Sequence, residues 1–164
     1  MATRGLDSVT RARQLARRYL RCGTRATAQL YAYLKARDIP VNAIRLIVAE
    51  STRQGMLDDH ACATLWAVHL ADQGYAWDAV QERLLTKGLE AAVVRQVIAP
   101  LRAEADDGRR ARSFVRQRLG QRGAFDRQRV GRWLAQRGFD TELIDRVLGV
   151  VRGVTTDPLD DAER

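Results

Sequence analysis

The strongest constraint on this chain is that it resembles itself at a fixed spacing. Shifted by fifty residues, three segments align without gaps: Tyr33-Leu34-Lys35-Ala36-Arg37-Asp38-Ile39, then Arg83-Leu84-Leu85-Thr86-Lys87-Gly88-Leu89, then Trp133-Leu134-Ala135-Gln136-Arg137-Gly138-Phe139. Six columns are apolar in every copy: Leu30/Val80/Val130, Leu34/Leu84/Leu134, Ile39/Leu89/Phe139, Ile44/Val94/Ile144, Ile47/Val97/Val147 and Val48/Ile98/Leu148. A seventh column, Arg37/Lys87/Arg137, is always basic. A period of this length marks supersecondary units that bury their apolar faces against neighbours. Arg (26), Ala (24) and Leu (18) dominate the 164 residues, against 12 Gly and 3 Pro, so each unit is expected to be helical. The reading is an all-α protein of three tandem three-helix repeats forming an elongated, curved molecule.

The expected divisions are repeat 1 over 8–57, repeat 2 over 58–106, repeat 3 over 107–152 and an acidic flexible tail over 153–164. In repeat 1, Asp7 or Ser8 caps a helix running to Arg21, Thr24 starts the second helix, and Pro40 opens the third. Gly55 closes that helix. Repeat 2 restarts at Asp58-Asp59, turns at Gly74, runs its second helix from Ala76 to Lys87 and its third from Glu90, with Pro100 expected to end or kink it. Repeat 3 restarts at Asp106-Asp107-Gly108, turns at Gly120 and Gly123, and carries helices over Asp126–Arg137 and Thr141–Val151. Acidic residues at these restarts complement helix N-termini.

The net charge of +8 is unevenly spread. Residues 1–57 hold 11 basic and 3 acidic side chains, residues 58–107 hold 4 and 9, residues 108–152 hold 12 and 4, and residues 153–164 hold 1 and 4. Two basic blocks on a helical frame point to a polyanionic partner. No run is long and apolar enough to span a bilayer, and the first residues lack a secretory pattern. With two cysteines, Cys22 and Cys62, a disulfide scaffold is excluded and a cytoplasmic setting is expected.

No catalytic pattern emerges. There is no phosphate-binding glycine loop, no H-E-x-x-H, no C-x-x-C and no nucleophile elbow. His60 and His69 are not on one helix face, and Asp58-Asp59 reads as a capping pair rather than a metal site. Cys62, in pattern with Leu65 and Trp66, reads as a buried thiol, and Trp66, Trp77 and Trp133 read as packing residues. No cofactor, metal or enzymatic activity is expected. The arginines carry more information. Arg13, Arg17 and Arg21 recur every fourth residue, with Arg18 alongside; Arg109, Arg112 and Arg116 line a second face, flanked by Arg110, Arg118 and Arg122. Guanidinium forks suit phosphates and carboxylates.

Three stretches resemble one family. Gly55-Met56-Leu57-Asp58-Asp59-His60-Ala61-Cys62-Ala63 resembles the G-x-L-D-D-x-x-(aromatic)-A signature of the RecX family of recombinase regulators. Gly74, Val80, Leu84 and Lys87-Gly88-Leu89 follow its middle-repeat pattern. Arg132-Trp133-Leu134-Ala135-Gln136-Arg137-Gly138-Phe139, with Ile144, is similar to its ending. Cys62 stands where the family carries an aromatic, and Ala26 where it carries a capping Ser, a role that would fall to Thr24. The resemblance implies a monomeric modulator that binds the RecA filament, with weak contact to single- or double-stranded DNA, and inhibits filament extension, ATP hydrolysis and strand exchange. The basic surface for this role is Arg13, Arg17, Arg18, Arg21, Arg109, Arg110, Arg112, Arg116, Arg118, Arg122, Arg132 and Arg137. Taken from the residues alone, a helix-turn-helix transcriptional regulator and a plain helical adapter also remain open.

Overall fold

The structure, a computed structural model, describes residues 2–21, 23–119 and 126–152. These form nine α-helices and no strand: α1 (Ala2–Leu20), α2 (Thr27–Lys35), α3 (Val41–Arg53), α4 (Asp59–Asp72), α5 (Trp77–Thr86), α6 (Ala91–Glu104), α7 (Asp107–Leu119), α8 (Arg127–Ala135) and α9 (Thr141–Arg152). Cys22, the Gly120 and Gly123 turns, Arg122 and the tail 153–164 lie outside the described residues.

The all-helical expectation holds, and the aligned columns explain why. Seventeen of the eighteen column positions are buried, and the other, Val48, is half-buried. Leu34, Leu84 and Leu134 are each fully enclosed. Because removing apolar surface from water is the main favourable term in folding, columns of this kind hold the helices.

The chain divides into two compact units: residues 1–69 with 81–99, and residues 70–80 with 100–164. In the first, α1 packs on α2 and α3 around Ala12, Ala16, Leu30, Leu34, Ile44, Ile47 and Leu57. In the second, α9 packs on α7 and α8 around Ala111, Phe114, Val115, Val130, Leu134, Val147 and Leu148.

Each unit contains the same joint. In the first, the Thr27 backbone N–H at the start of α2 donates to Asp59 Oδ1 at 2.7 Å. In the second, the Trp77 backbone N–H at the start of α5 donates to Asp107 Oδ1 at 3.0 Å. The preceding aspartate of each pair caps its own helix: Asp58 Oδ1 accepts from Ala61 N–H at 2.9 Å and Asp106 Oδ1 from Arg109 N–H at 2.7 Å. A helix N-terminus leaves four N–H groups without intrahelical partners, so each acidic pair serves two helices at once. Asp126, with no second aspartate after it, caps only α8, accepting from Gln128 and Arg129 N–H.

A glycine completes each joint. After the second helix of each repeat the chain takes a left-handed residue: Asp38 (φ 59°), Gly88 (φ 86°) and Gly138 (φ 82°). The N–H groups of Ile39, Leu89 and Phe139 then return to the carbonyls of Leu34, Leu84 and Leu134, each at 3.3 Å. A Cβ on Gly88 would lie 2.6 Å from Ala28 Cβ, and one on Gly138 would lie 2.6 Å from Ala79 Cβ. Gly88 and Gly138 are therefore needed for close approach as well as for φ.

Several local expectations are corrected. The first helix begins at Ala2 rather than at Asp7 or Ser8. The second begins at Thr27 rather than Thr24, because its cap comes from Asp59, distant in sequence. Pro100 does not end its helix; α6 continues through it to Glu104. Leu65 is 57% exposed, lying off the Cys62, Ala63, Ala67 and Leu70 stripe that α4 buries.

Loss of either joint aspartate is expected to lower stability. Asp59→Ala and Asp107→Ala should each cost about 1 to 2 kcal/mol, read as a lower urea midpoint. Gly138→Ala should cost more than either, because it combines a left-handed φ with a backbone-proximal clash.

Candidate functional site

Eleven of the twelve arginines singled out in the sequence lie within the described residues, and they separate into two kinds. Arg13, Arg110 and Arg137 are bound to the protein itself. The Arg13 guanidinium on α1 forks onto Glu50 of α3, with Nη2 to Oε2 at 2.9 Å and Nε to Oε1 at 3.1 Å. Arg110 donates from Nη1 to Asp107 Oδ1 at 3.3 Å and from Nη2 to the Ala71 carbonyl at 3.1 Å, while its guanidinium covers the Trp77 ring at 4.1 Å. Its side chain is only 9% exposed, and this burial lowers its pKa against the opposing pull of Asp107. Arg137 donates from Nε to the Gln73 carbonyl at 3.0 Å and lies 4.6 Å from the Phe114 ring centre.

The others face outward. Arg17, Arg18 and Arg21 are exposed at the C-terminal end of α1, and Arg109, Arg116, Arg118 and Arg132 are exposed on α7 and α8. Arg112 is half-buried on α7. Arg109 reaches back to the Glu104 carbonyl at 3.3 Å, and Arg118 lies 5.5 Å from the Trp133 ring centre. The α1 face thus lacks Arg13, whose charge is taken up by Glu50, a partner 37 residues away that helical spacing does not reveal.

The always-basic column also resolves into contacts with aromatic faces. The Arg37 guanidinium lies 3.6 Å from the Tyr33 ring centre, the Lys87 ammonium 3.7 Å from Trp66, and Arg137 over Phe114. Each contact desolvates a cation against a ring quadrupole, a structural use of charge. Two arginines that the sequence did not single out join them: Arg129, 4.9 Å from Trp133, and Arg25, 5.1 Å from Tyr19, which itself stacks on Tyr33 at 4.1 Å. Arg25 lies in the loop before α2, where no periodicity announces it.

Cys62 is buried, and burial followed by the Asp59 charge pushes its thiol pKa up, away from the reactive thiolate. Asp58 and Asp59 are occupied as caps, His60 is exposed beside them, and no group of three His, Cys, Asp or Glu side chains among the described residues is placed to hold a metal. Trp77 is core, with Nε1 donating to the Ala105 carbonyl at 2.7 Å. No helix among the described residues is long and apolar enough to cross a membrane.

The described residues thus form an all-helical frame with exposed arginines on α1, α7 and α8. No protein-family model matches the chain. It is 29% identical over 147 residues to "Regulatory protein RecX" of Streptomyces coelicolor, spanning 87% of this chain and 78% of that one. The same-named protein of Thermobifida fusca is 32% identical over 147 residues, spanning 87% and 79%. That of Xanthomonas oryzae pv. oryzae is 30% identical over 115 residues, spanning 68% and 71%. The fold matches the crystal structure of RecX from Lactobacillus salivarius with a TM-score of 0.72 at 14% identity, covering 90% of this chain and 98% of that one. A second crystal structure of regulatory protein RecX matches at 0.68 and 19% identity, covering 89% and 74%. The chain belongs to the RecX family of regulatory proteins.

The Arg13–Glu50 pair makes a pH prediction. The hydrogen bond from Arg13 holds the Glu50 carboxyl below the usual carboxylate range, against an opposing effect of burial. A depressed folded-state pKa gives stability that is present above the unfolded value of about 4.3 and lost as pH falls through the lower folded value. Glu50→Gln should therefore lower the melting temperature at neutral pH, and the gap from the unaltered protein should close as the pH drops below about 4.

Proposed function

We propose that this protein is a non-enzymatic, cytoplasmic regulator of recombination and repair that binds RecA on its DNA filament and restrains filament extension, ATP hydrolysis and strand exchange. Membership of a family whose members are named as regulatory RecX proteins carries the reading. The exposed arginines support it physically: a recombinase filament offers both carboxylates and DNA phosphates, and guanidinium groups bind both. On this reading the contacting set is Arg17, Arg18, Arg21, Arg109, Arg112, Arg116, Arg118 and Arg132, with Arg122 from outside the described residues. Arg13, Arg110 and Arg137 serve the frame. The protein acts as a monomer whose sequence repeats span 8–57, 58–106 and 107–152, and it holds free single- or double-stranded DNA weakly.

The test is ATP hydrolysis by RecA on single-stranded DNA, titrated at fixed salt. The unaltered protein should suppress hydrolysis at less than one molecule per recombinase monomer. Arg109→Glu/Arg112→Glu/Arg116→Glu should raise the half-inhibiting concentration at least about tenfold, since like charges brought together at an interface cost several kcal/mol. Its helicity should be unchanged. No suppression at saturation would overturn the reading, and unchanged suppression by the variant would remove α7 from the contact surface.

A further inference from the structure

The second unit holds an open cavity of about 370 Å³ between the end of α4 and the turn after it, the C-terminal half of α7, and Arg137, two residues past the end of α8. That volume lies near the lower end of the roughly 300 to 1,000 Å³ of ligand-binding pockets. Its floor is fixed. Phe114 is buried beneath the Arg137 guanidinium, which is itself tied to the Gln73 carbonyl and lies 5.7 Å from the Tyr75 ring. Gly74 closes against Phe114 so tightly that a Cβ there would sit 2.3 Å from the ring. Above this floor the wall presents Asp72, Tyr75, Gln117 and Arg118, of which Asp72, Gln117 and Arg118 are exposed.

The mixture of groups selects the occupant. A simple anion would be attracted by Arg118 but repelled by Asp72. An apolar side chain would desolvate a carboxylate and a guanidinium without pairing either. A planar ring with donors and acceptors on its edge suits the polar groups: Asp72 accepts, Arg118 donates and Gln117 does both, with the Tyr75 ring beside them. Nucleobases are such rings, and only unstacked bases of a single strand expose both face and edge.

We propose that this cavity takes one unstacked nucleobase of single-stranded DNA, its edge held by Asp72, Gln117 and Arg118. This rests on the DNA contact in the proposed function and adds a base-recognising site to it.

The test compares binding of a fluorescein-labelled oligothymidylate with that of an abasic strand of equal length, at fixed salt. The two carry the same phosphates, so the electrostatic contribution cancels in the ratio of affinities. The unaltered protein should prefer the base-bearing strand about tenfold, the effect of one good set of hydrogen bonds to a base edge. Asp72→Ala/Gln117→Ala, at exposed positions, should lose most of that preference with helicity intact, whatever it gains on both strands from one fewer negative charge. Equal affinity of the unaltered protein for the two strands, or an unchanged ratio in the variant, would overturn the base site. Binding of neither strand would overturn the DNA contact beneath it.

Discussion

The first N–H groups of a helix have no partner within it, and in this protein an aspartate from the next part of the chain takes one of them. Asp59 does so for α2 and Asp107 for α5, while their neighbours Asp58 and Asp106 cap α4 and α7. Carboxylates at helix starts gain from both the hydrogen bond and the helix dipole. Each acidic pair thereby fixes the start of one helix relative to the start of another, and the glycines Gly88 and Gly138 let the same helix starts come close. In the second joint the Ala76 N–H also donates to the Arg137 carbonyl at 2.9 Å. Within each unit, helix ends as well as helix faces set how the helices meet.

This joint decides what the arginines are for. Arg110 pairs with the joint aspartate Asp107 and covers Trp77, the residue whose N–H that aspartate accepts. Arg137 contributes its carbonyl to the joint and its guanidinium to the Gln73 carbonyl and the Phe114 ring. Both are cations used as scaffold. What remains at the surface of α7 and α8 is a set of exposed arginines carried on helices that pack in the same unit as the joint.

Much of this was legible in the sequence. The fifty-residue columns identified the core, because burial of an apolar position repeats wherever the helix geometry repeats, and the all-helical class followed from a composition rich in Arg, Ala and Leu and poor in Gly and Pro. Motifs placed the chain in its family. The sequence was silent where a partner is distant: Glu50 for Arg13, Asp59 for Thr27 and the Ala71 carbonyl for Arg110 are all far apart in the chain. Helical spacing grouped Arg13 with Arg17 and Arg21 because it sees one helix at a time. The cavity beneath Tyr75 was invisible for the same reason, being built from three separate segments. The Asp-Asp pairs were recognised as caps, yet only half of what they cap lies in their own helix.

The claim on which the functional account depends is that the protein engages RecA assembled on DNA. Co-sedimentation tests this most directly: RecA filaments formed on single-stranded DNA with a non-hydrolysable nucleotide are pelleted in the presence of this protein, beside the same DNA without RecA. The account predicts that the protein pellets with the filaments and largely remains in the supernatant with DNA alone. Its remaining in the supernatant in both cases would contradict the account.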